Sequence, residues 1–80
     1  MAAAVIVRYW AGAARAAGRE SEPLSAATVG ELRARLGDRP GFAAVAAVAS
    51  FLVDGRHADD TTTLTDGAEV DVLPPFAGGC

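Results

Sequence analysis

The residues best suited to chemistry lie at the carboxyl end of the chain, which reads Pro74, Pro75, Phe76, Ala77, Gly78, Gly79 and Cys80. Two prolines stiffen the start of this segment, and two glycines leave the backbone after them without side chains. Fully extended, residues 74–79 span roughly 20 Å, enough to carry the Gly79 carbonyl into the active site of another protein. No β-carbon hinders attack on that carbonyl. The segment predicts an acyl group displayed on a tail; the alternative is an ordinary frayed terminus.

Other side chains with catalytic potential are isolated. The sequence has no P-loop and no dinucleotide-binding glycine pattern. His57 is the single histidine and follows a predicted hairpin turn, which is typical of a solvated side chain. Asp59 and Asp60 alone offer too few oxygen ligands for calcium, so a solvated loop is the better interpretation. We therefore predict no metal site and no enzyme active site within the chain.

Composition narrows the class of protein. Eighty residues of 8.1 kDa allow one small domain, whose core leaves little material for an enclosed catalytic cleft. The net charge of −3 provides no basic surface for nucleic acid or for an anionic membrane. A single cysteine excludes an internal disulfide and a zinc site with several thiolates. The longest charge-free stretch, residues 40–53, is too short to span a bilayer. We expect an unexported protein of the cytoplasm.

The first third of the chain predicts two strands. Residues 4–10 alternate and are rich in β-forming side chains, so they predict a strand. Residues 11–19 contain two glycines in a short alanine-rich stretch, which favours a loop with at most one turn of helix. Residues 20–27 predict a weak strand with Leu24 as its core anchor. Pro23 cannot donate to a neighbouring strand and therefore indicates a sheet edge.

A capped helix follows. Thr28 and Glu31 form a capping-box pattern, in which the threonine hydroxyl accepts from the Glu31 amide and the glutamate reaches back to the Thr28 amide. Gly37 predicts a left-handed stop. The helix should bury one apolar face and direct its arginines elsewhere; that face comprises Val29, Leu32 and Leu36.

The rest of the chain predicts a short helix and further strands. Residues 42–50 suit a helix that buries Phe42, Val45 and Val48. Asp54-Gly55 predicts a two-residue hairpin turn between two strands. Another turn at residues 64–67 precedes a final strand at 69–73. This order of elements favours an α+β fold in which a mixed sheet wraps over one helix.

The carboxyl third resembles the sulfur-carrier proteins of the β-grasp, ubiquitin-like superfamily. The resemblance is carried by residues 64–70 (LTDGAEV) and 73–79 (LPPFAGG), and it extends to residues 9–18 and the helix at 28–36. It is closest to the small subunit of molybdopterin synthase, because thiamine-pathway carriers more often lack the two prolines. It implies a β-grasp domain at 1–73, with four to five strands packed on one main helix, and a flexible tail at 74–80.

The resemblance also implies a carrier cycle centred on Gly79. An adenylating enzyme of the ubiquitin-activating type, using ATP and magnesium, activates the Gly79 carboxylate. A sulfurtransferase or cysteine desulfurase then supplies sulfur to form a thiocarboxylate, and a synthase accepts that sulfur. The carrier itself holds no cofactor and performs no catalysis. The acceptor is open between molybdopterin, thiamine, cysteine and specialised thio-metabolites.

Cys80 departs from the family pattern, because it leaves the Gly79 carbonyl as an amide that cannot be adenylated. Three accounts are open: a removable cap cleaved by a metalloprotease, an added residue for coupling, or a cysteine product carried on Gly79. A fourth account makes the Cys80 thiol itself the carried nucleophile.

Three further side chains are candidates for a partner-binding surface. Phe76 is awkwardly placed for the core, so it predicts an anchor for a partner, with a satellite core contact as the alternative. Tyr9 and Trp10 lie on opposite faces of their strand, so one of them should be exposed. We assign Trp10 and Arg15 to the interface, with a solvated arginine as the alternative for Arg15.

Two other functions remain open: a ubiquitin-like modifier joined to lysines, and a plain binding module.

Overall fold

The computed structural model describes residues 2–74. Within this range the chain forms five strands and three helices: β1 (Ala3–Tyr9), α1 (Gly12–Ala17), β2 (Ser21–Ala26), α2 (Val29–Gly37), α3 (Ala43–Val48), β3 (Ser50–Val53), β4 (Arg56–Ala58) and β5 (Glu69–Leu73). The predicted tail residues Pro75, Phe76, Ala77, Gly78, Gly79 and Cys80 lie outside the described residues.

The strands form one mixed sheet in the order β2-β1-β5-β3-β4. β1 pairs with β5 in parallel, and the other neighbours are antiparallel. The predicted mixed sheet and α+β class are confirmed. Parallel pairing places the carboxyl ends of β1 and β5 at the same end of the sheet, with Tyr9 opposite Val72.

One face of the sheet carries the core. In β1 the residues alternate strictly between buried and exposed, so Val5, Val7 and Tyr9 point inward while Ile6 and Arg8 point outward. Full burial of an aliphatic or aromatic side chain contributes about 1.5–3 kcal/mol, and the largest fully buried ones supply most of the stabilisation. They are Phe42, Phe51, Leu32, Leu36, Val5, Val7, Val29, Val70 and Val72.

The helix α2 begins as the sequence predicts but ends differently. The Thr28 hydroxyl accepts from the Glu31 amide at 3.1 Å, whereas the Glu31 carboxylate accepts from the Ala27 amide rather than from Thr28. Gly37 remains helical, so the predicted left-handed stop there is wrong. The chain instead continues through Asp38, whose amide donates to the last turn, and reverses at Gly41, where φ is +80°.

Helix α3 buries a different face from the predicted one. Phe42, Ala46 and Ala49 are buried, whereas Val48 is 57% exposed and Val45 is only partly buried. This face packs against α2, where a β-carbon added at Gly37 would lie 3.9 Å from the β-carbon of Ala46, an ordinary van der Waals contact. The small residues of this segment therefore face the core, although its valines are more hydrophobic.

Arg33, predicted to point away from the core, joins α2 to α3 and to the β3 face. Its guanidinium donates to the carbonyls of Ala46 and Ala49 at 2.7 and 2.9 Å, and it pairs with Asp60 at 3.0 Å. It also lies 4.7 Å from the centroid of the Phe51 ring. Arg33 thus satisfies carbonyls at the end of α3, a helix with no basic residue in its own last turn.

The predicted edge and hairpins are confirmed. β2 is an edge strand, and the Tyr9 amide donates to the Glu20 carbonyl at 2.8 Å. In the alternating antiparallel pattern, the backbone of Pro23 then faces the open edge, where its missing donor discourages pairing with another strand. Asp54 and Gly55 both have positive φ, as the two-residue hairpin requires, and Gly67 has φ of +86° in its turn.

Replacing either of two glycines in α2 with alanine should have opposite effects on the stability of the protein. A β-carbon at Gly30 would lie 3.0 Å from the carbonyl oxygen of Asp60, the same oxygen that accepts from the Gly30 amide. At Gly37 the nearest atom is 3.9 Å away. We expect Gly30→Ala to lower the free energy of unfolding by about 1 kcal/mol through overpacking, and Gly37→Ala to raise it by about 0.5–1 kcal/mol through helix propensity. Urea denaturation of both variants checks this, and a stabilised Gly30→Ala variant would contradict the close approach.

Candidate functional site

The predicted tail leaves the sheet beside Trp10. β5 ends at Leu73, and the Trp10 amide donates to the Val72 carbonyl at 3.2 Å. Pro74, the first residue after β5, is buried. Pro74 therefore lies at the end of the sheet where the carboxyl ends of β1 and β5 meet.

A strained turn follows Trp10. The Ala13 amide donates to the Trp10 carbonyl at 2.9 Å, and Ala11 between them has φ 48° and ψ −126°. These angles are those of the first central residue of a type II′ turn, a position that favours glycine. For alanine the conformation costs about 1–3 kcal/mol. The turn leads β1 directly into α1 and leaves Trp10 49% exposed, which confirms that one of Tyr9 and Trp10 is exposed.

An open cleft lies under Trp10, between the end of β1, the start of α1 and the segment leading into β2. Its volume is about 440 Å³, and it is lined by Arg8, Trp10, Ala11, Ala14, Glu20 and Ser21 among others. Its lining residues include one exposed aromatic residue, Trp10, two alanines, and one residue of each charge, Arg8 and Glu20.

Arg8 is held to one side of this cleft by two carboxylates of β5. Its Nε donates to Asp71 Oδ1 at 2.8 Å, and its Nη2 lies 3.5 Å from Glu69 Oε1. The in-register pairing of Arg8 with Asp71 across the parallel strands produces this contact, and the Asp71 carboxylate raises the pKa of Arg8. The side chain of Asp71 is only 11% exposed although it is on the outer face. The two carboxylates thus balance the positive charge of Arg8 and hold its side chain in position.

A buried polar network lies behind Trp10, on the inner face of the sheet. Glu22, 8% exposed, accepts from the Tyr9 hydroxyl and from Arg39, and pairs with Arg19 at 3.3 Å. The ring of Tyr9 packs edge-on against Phe42, with centroids 5.8 Å apart. The buried positions of β2 are Glu22 and Ala26, whereas Leu24 is only partly buried against the core, so the prediction of Leu24 as core anchor is confirmed only in part.

The network shifts the ionisation of both its acids. The hydrogen bond from Arg39 lowers the pKa of Glu22 against the opposing effect of burial, so this carboxyl stays charged inside the protein. Burial, together with the bond to Glu22, raises the pKa of Tyr9 well above its usual value. The network joins β1, β2 and the α2–α3 loop immediately beneath the residues that line the cleft.

The remaining predicted residues lie apart from the cleft or at its margin. Arg15 is exposed on α1. His57 is exposed on β4, at the opposite edge of the sheet, as predicted for a solvated side chain. Asp59 accepts from the amide and hydroxyl of Thr61, and the hydroxyl contact lowers the pKa of Asp59.

Residues 2–74 contain no cluster of three or more acidic, histidine or cysteine side chains placed to hold a metal ion. In the same range, no helix is long and apolar enough to cross a membrane.

Comparison with known proteins identifies the family. The model of the ThiS family matches residues 7–79, so the chain belongs to this family of ubiquitin-like sulfur carriers. The match covers nearly the whole chain and includes Gly78 and Gly79 but not Cys80. A search of curated proteins gives no significant match to the sequence.

Solved structures support the same assignment. The chain is similar to protein HVO 2177 of Haloferax volcanii, with 26% identity over 98% of this chain and 88% of that one and a TM-score of 0.82. It is similar to small archaeal modifier protein 1 of Methanosarcina acetivorans, with 25% identity over 99% of each chain and a TM-score of 0.80. In the complex of subunits 1 and 2 of the molybdopterin-converting factor of Helicobacter pylori, the matching chain is 28% identical, with 95% and 99% coverage and a TM-score of 0.74. The predicted β-grasp fold is confirmed.

The strained turn predicts a stabilising glycine substitution. We expect Ala11→Gly to raise the free energy of unfolding by about 1 kcal/mol, because relief of the positive-φ strain exceeds the entropic cost of glycine. Ala16→Gly, at a helical position of α1, is the matched control and should lower it by about 1 kcal/mol. Thermal and urea unfolding measure both effects. Equal destabilisation by the two variants would show that Ala11 is not strained.

The buried carboxylate predicts a specific loss of stability in acid. The folded-state pKa of Glu22 lies below the ordinary value of 4.5, so its stabilisation is complete above that pH and disappears as the pH falls through the folded-state value. We expect Glu22→Gln to destabilise the protein by about 1–3 kcal/mol at pH 7 and by progressively less towards pH 3. Glu20→Gln, at an exposed neighbouring position, should retain the acid dependence of the parent chain. Urea denaturation between pH 3 and 7 checks this, and an unchanged acid dependence in Glu22→Gln would refute it.

Proposed function

We propose that the protein is a sulfur carrier that acts through a thiocarboxylate at Gly79, and that it most resembles the small subunit of molybdopterin synthase. The observation that carries this proposal is the match to the ThiS family over residues 7–79, which includes Gly78 and Gly79. β5, the strand that precedes this sequence, ends beside Trp10. The folded domain then serves to present the tail to other proteins.

The chemistry takes place at the carbonyl carbon of Gly79. Its free carboxylate attacks the α-phosphorus of ATP, pyrophosphate leaves, and an acyl adenylate forms. A persulfide sulfur of a sulfurtransferase or cysteine desulfurase then attacks the carbonyl carbon and displaces AMP. A thiol cleaves the resulting acyl disulfide and releases the thiocarboxylate, which is ionised and nucleophilic at neutral pH. ATP and magnesium belong to the activating enzyme, and the carrier supplies only the acyl group.

Cys80 has to leave before this cycle starts. While it is attached, the Gly79 carbonyl is an amide and has no oxygen to give to the phosphorus of ATP. We assign its removal to a metalloprotease, acting in the cytoplasm where the cycle takes place. The proposed acceptor is a synthase subunit, since one similar chain is solved as subunit 1 in complex with subunit 2 of a molybdopterin-converting factor. Thiamine, cysteine or a specialised thio-metabolite is the alternative end product.

A second candidate function is protein modification. The observation that favours it is the similarity to a small archaeal modifier protein over almost the full length of both chains. In that case the activated Gly79 carbonyl is attacked by the amino group of a target lysine, and an isopeptide bond replaces the thiocarboxylate. Peptide mass spectrometry of cell extracts separates the two functions, because only modification leaves Gly79 attached to lysine.

The decisive measurement is the intact mass of the carrier. A chain that ends at Gly79, incubated with its activating enzyme, ATP and a persulfide donor, should gain about 16 Da as sulfur replaces oxygen. The chain with Cys80 still attached, without protease, is the matched control and should keep its mass. Unchanged mass of the chain ending at Gly79 would reject the thiocarboxylate.

A further inference from the structure

The cleft under Trp10 exposes apolar surface and has no excess of either charge. The Trp10 side chain is 49% exposed, and Ala11 and Ala14 line the same cleft. Among the described residues, the charged ones in this lining are Arg8 and Glu20, which have opposite signs. Exposed apolar surface beside polar residues is typical of a docking site. The cleft therefore favours an uncharged, apolar occupant.

The start of the tail lies one strand away from this cleft. β1 separates β5 from β2, and neighbouring strands are roughly 5 Å apart. The cleft lies between the end of β1 and the segment leading into β2. The Trp10 amide donates to the Val72 carbonyl, and Pro74, two residues after Val72, is buried. The chain is therefore still packed against the domain at Pro74, close to the residues that line the cleft.

Phe76 is the apolar side chain that lies within reach of the cleft. It follows Pro74 by two residues, which span up to roughly 7 Å, more than the distance from one strand to the next. Pro74 and Pro75 have few backbone conformations, so little conformational entropy is lost when the ring docks. Residues 75–80 carry no charged side chain, which matches the balanced charge of the cleft.

We propose that the tail folds back over the end of β1 and that the ring of Phe76 packs in this cleft against the indole of Trp10. Ala11 and Ala14 supply the rest of the apolar contact. The short tether gives the ring a local concentration of about millimolar, so a contact too weak to retain a separate molecule is well populated within one chain. For this reason the chain's own tail is favoured as the occupant over a second copy or another protein.

The backbone strain at Ala11 is consistent with this contact. Ala11 has φ of 48°, a conformation that glycine adopts without strain, yet an alanine occupies the position. Ala11 is exposed, so core packing does not require its methyl group. Strained residues persist where the local shape serves a function. Here the methyl group adds apolar surface to the cleft that receives the ring.

Docking of Phe76 changes how far the acyl group reaches. The three residues from Phe76 to Gly79 span roughly 10 Å, about half the span of residues 74–79. A partner that takes up the whole tail must therefore displace the ring first. The displaced ring is then free to act as the partner anchor that the sequence predicts. This regulatory role rests on the proposed function, whereas the contact itself does not.

The first test uses the whole chain, labelled with ¹³C and ¹⁵N, without any partner. The chain has one tryptophan and three phenylalanines, and two of these, Phe42 and Phe51, are buried, so the ring signals of Phe76 can be distinguished. We expect nuclear Overhauser effects between the ring protons of Phe76 and the indole protons of Trp10. Effects that link Phe76 only to other surfaces, or ring shifts equal to those of an unfolded peptide, would overturn the proposal.

Tryptophan fluorescence measures the same contact through a pair of variants. Phe76→Ala should increase the quenching of Trp10 by acrylamide about twofold, because a ring that is docked in most molecules no longer covers the indole. Ala77→Gly alters the neighbouring tail residue without removing the ring, and it should leave the quenching unchanged. Equal quenching of Trp10 in the parent chain and in Phe76→Ala would reject Phe76 as the group that covers the indole.

Dilution distinguishes the chain's own tail from the tail of a second copy. A ring docked on its own domain protects Trp10 equally at all protein concentrations, whereas exchange of tails between copies weakens on dilution. Cys80 is kept reduced in every sample so that disulfide-linked dimers do not form. Loss of the protection on dilution would assign the cleft to a second copy and overturn the proposal.

The outcome is separate from the carrier chemistry. These measurements use neither ATP nor an activating enzyme, so an inactive Gly79 does not affect them. A chain ending at Gly79 that gains the mass of sulfur, although Phe76 makes no contact with Trp10, would leave the proposed function standing and reject the docking. A docked ring in a chain that never gains this mass would support the docking and reject the thiocarboxylate.

Discussion

The parallel pairing of β1 with β5 is the constraint on which the rest of the structure depends. It joins strands that are more than sixty residues apart in sequence and places β5 at the centre of the sheet. It aligns Arg8 with Asp71 on the outer face and Val7 with Val70 in the core. It also places the start of the tail beside Trp10. A different register would separate the tail from the cleft and leave Asp71 without its cation.

At the carboxyl end of β1, networks of polar side chains lie on both faces of the sheet. On the inner face, Glu22 is buried among Tyr9 and two arginines, where removal of a partner would leave an uncompensated charge. On the outer face, Arg8 and Glu69 remain accessible to water, while Asp71 is largely covered. The inner network gives the end of β1 a rigid support, and the outer one leaves an acidic, accessible surface.

Much of the fold could be predicted from the sequence, because its signals were local. The Thr28 cap, the Asp54-Gly55 hairpin and the edge position of Pro23 each follow from the conformational limits of one or two residues. The failures were long-range. Burial of Glu22 requires Arg39, seventeen residues away, and the contacts of Arg33 require α3 and β3 to be in place. Val48 is exposed while Ala46 and Ala49 are buried, an orientation of α3 that the spacing of its valines does not reveal.

The sequence by itself determined the class of fold and the exposure of one of the two aromatic residues at the end of β1, because residue alternation and turn geometry depend on neighbouring residues. Only the tertiary structure decided that Trp10 shares a cleft with Glu20 and a strained Ala11, and that this cleft adjoins the start of the tail. These groups come from the end of β1, the α1 turn and the segment leading into β2, and the tail follows β5. Their proximity is created by strand pairing and packing, which depend on contacts between distant parts of the chain.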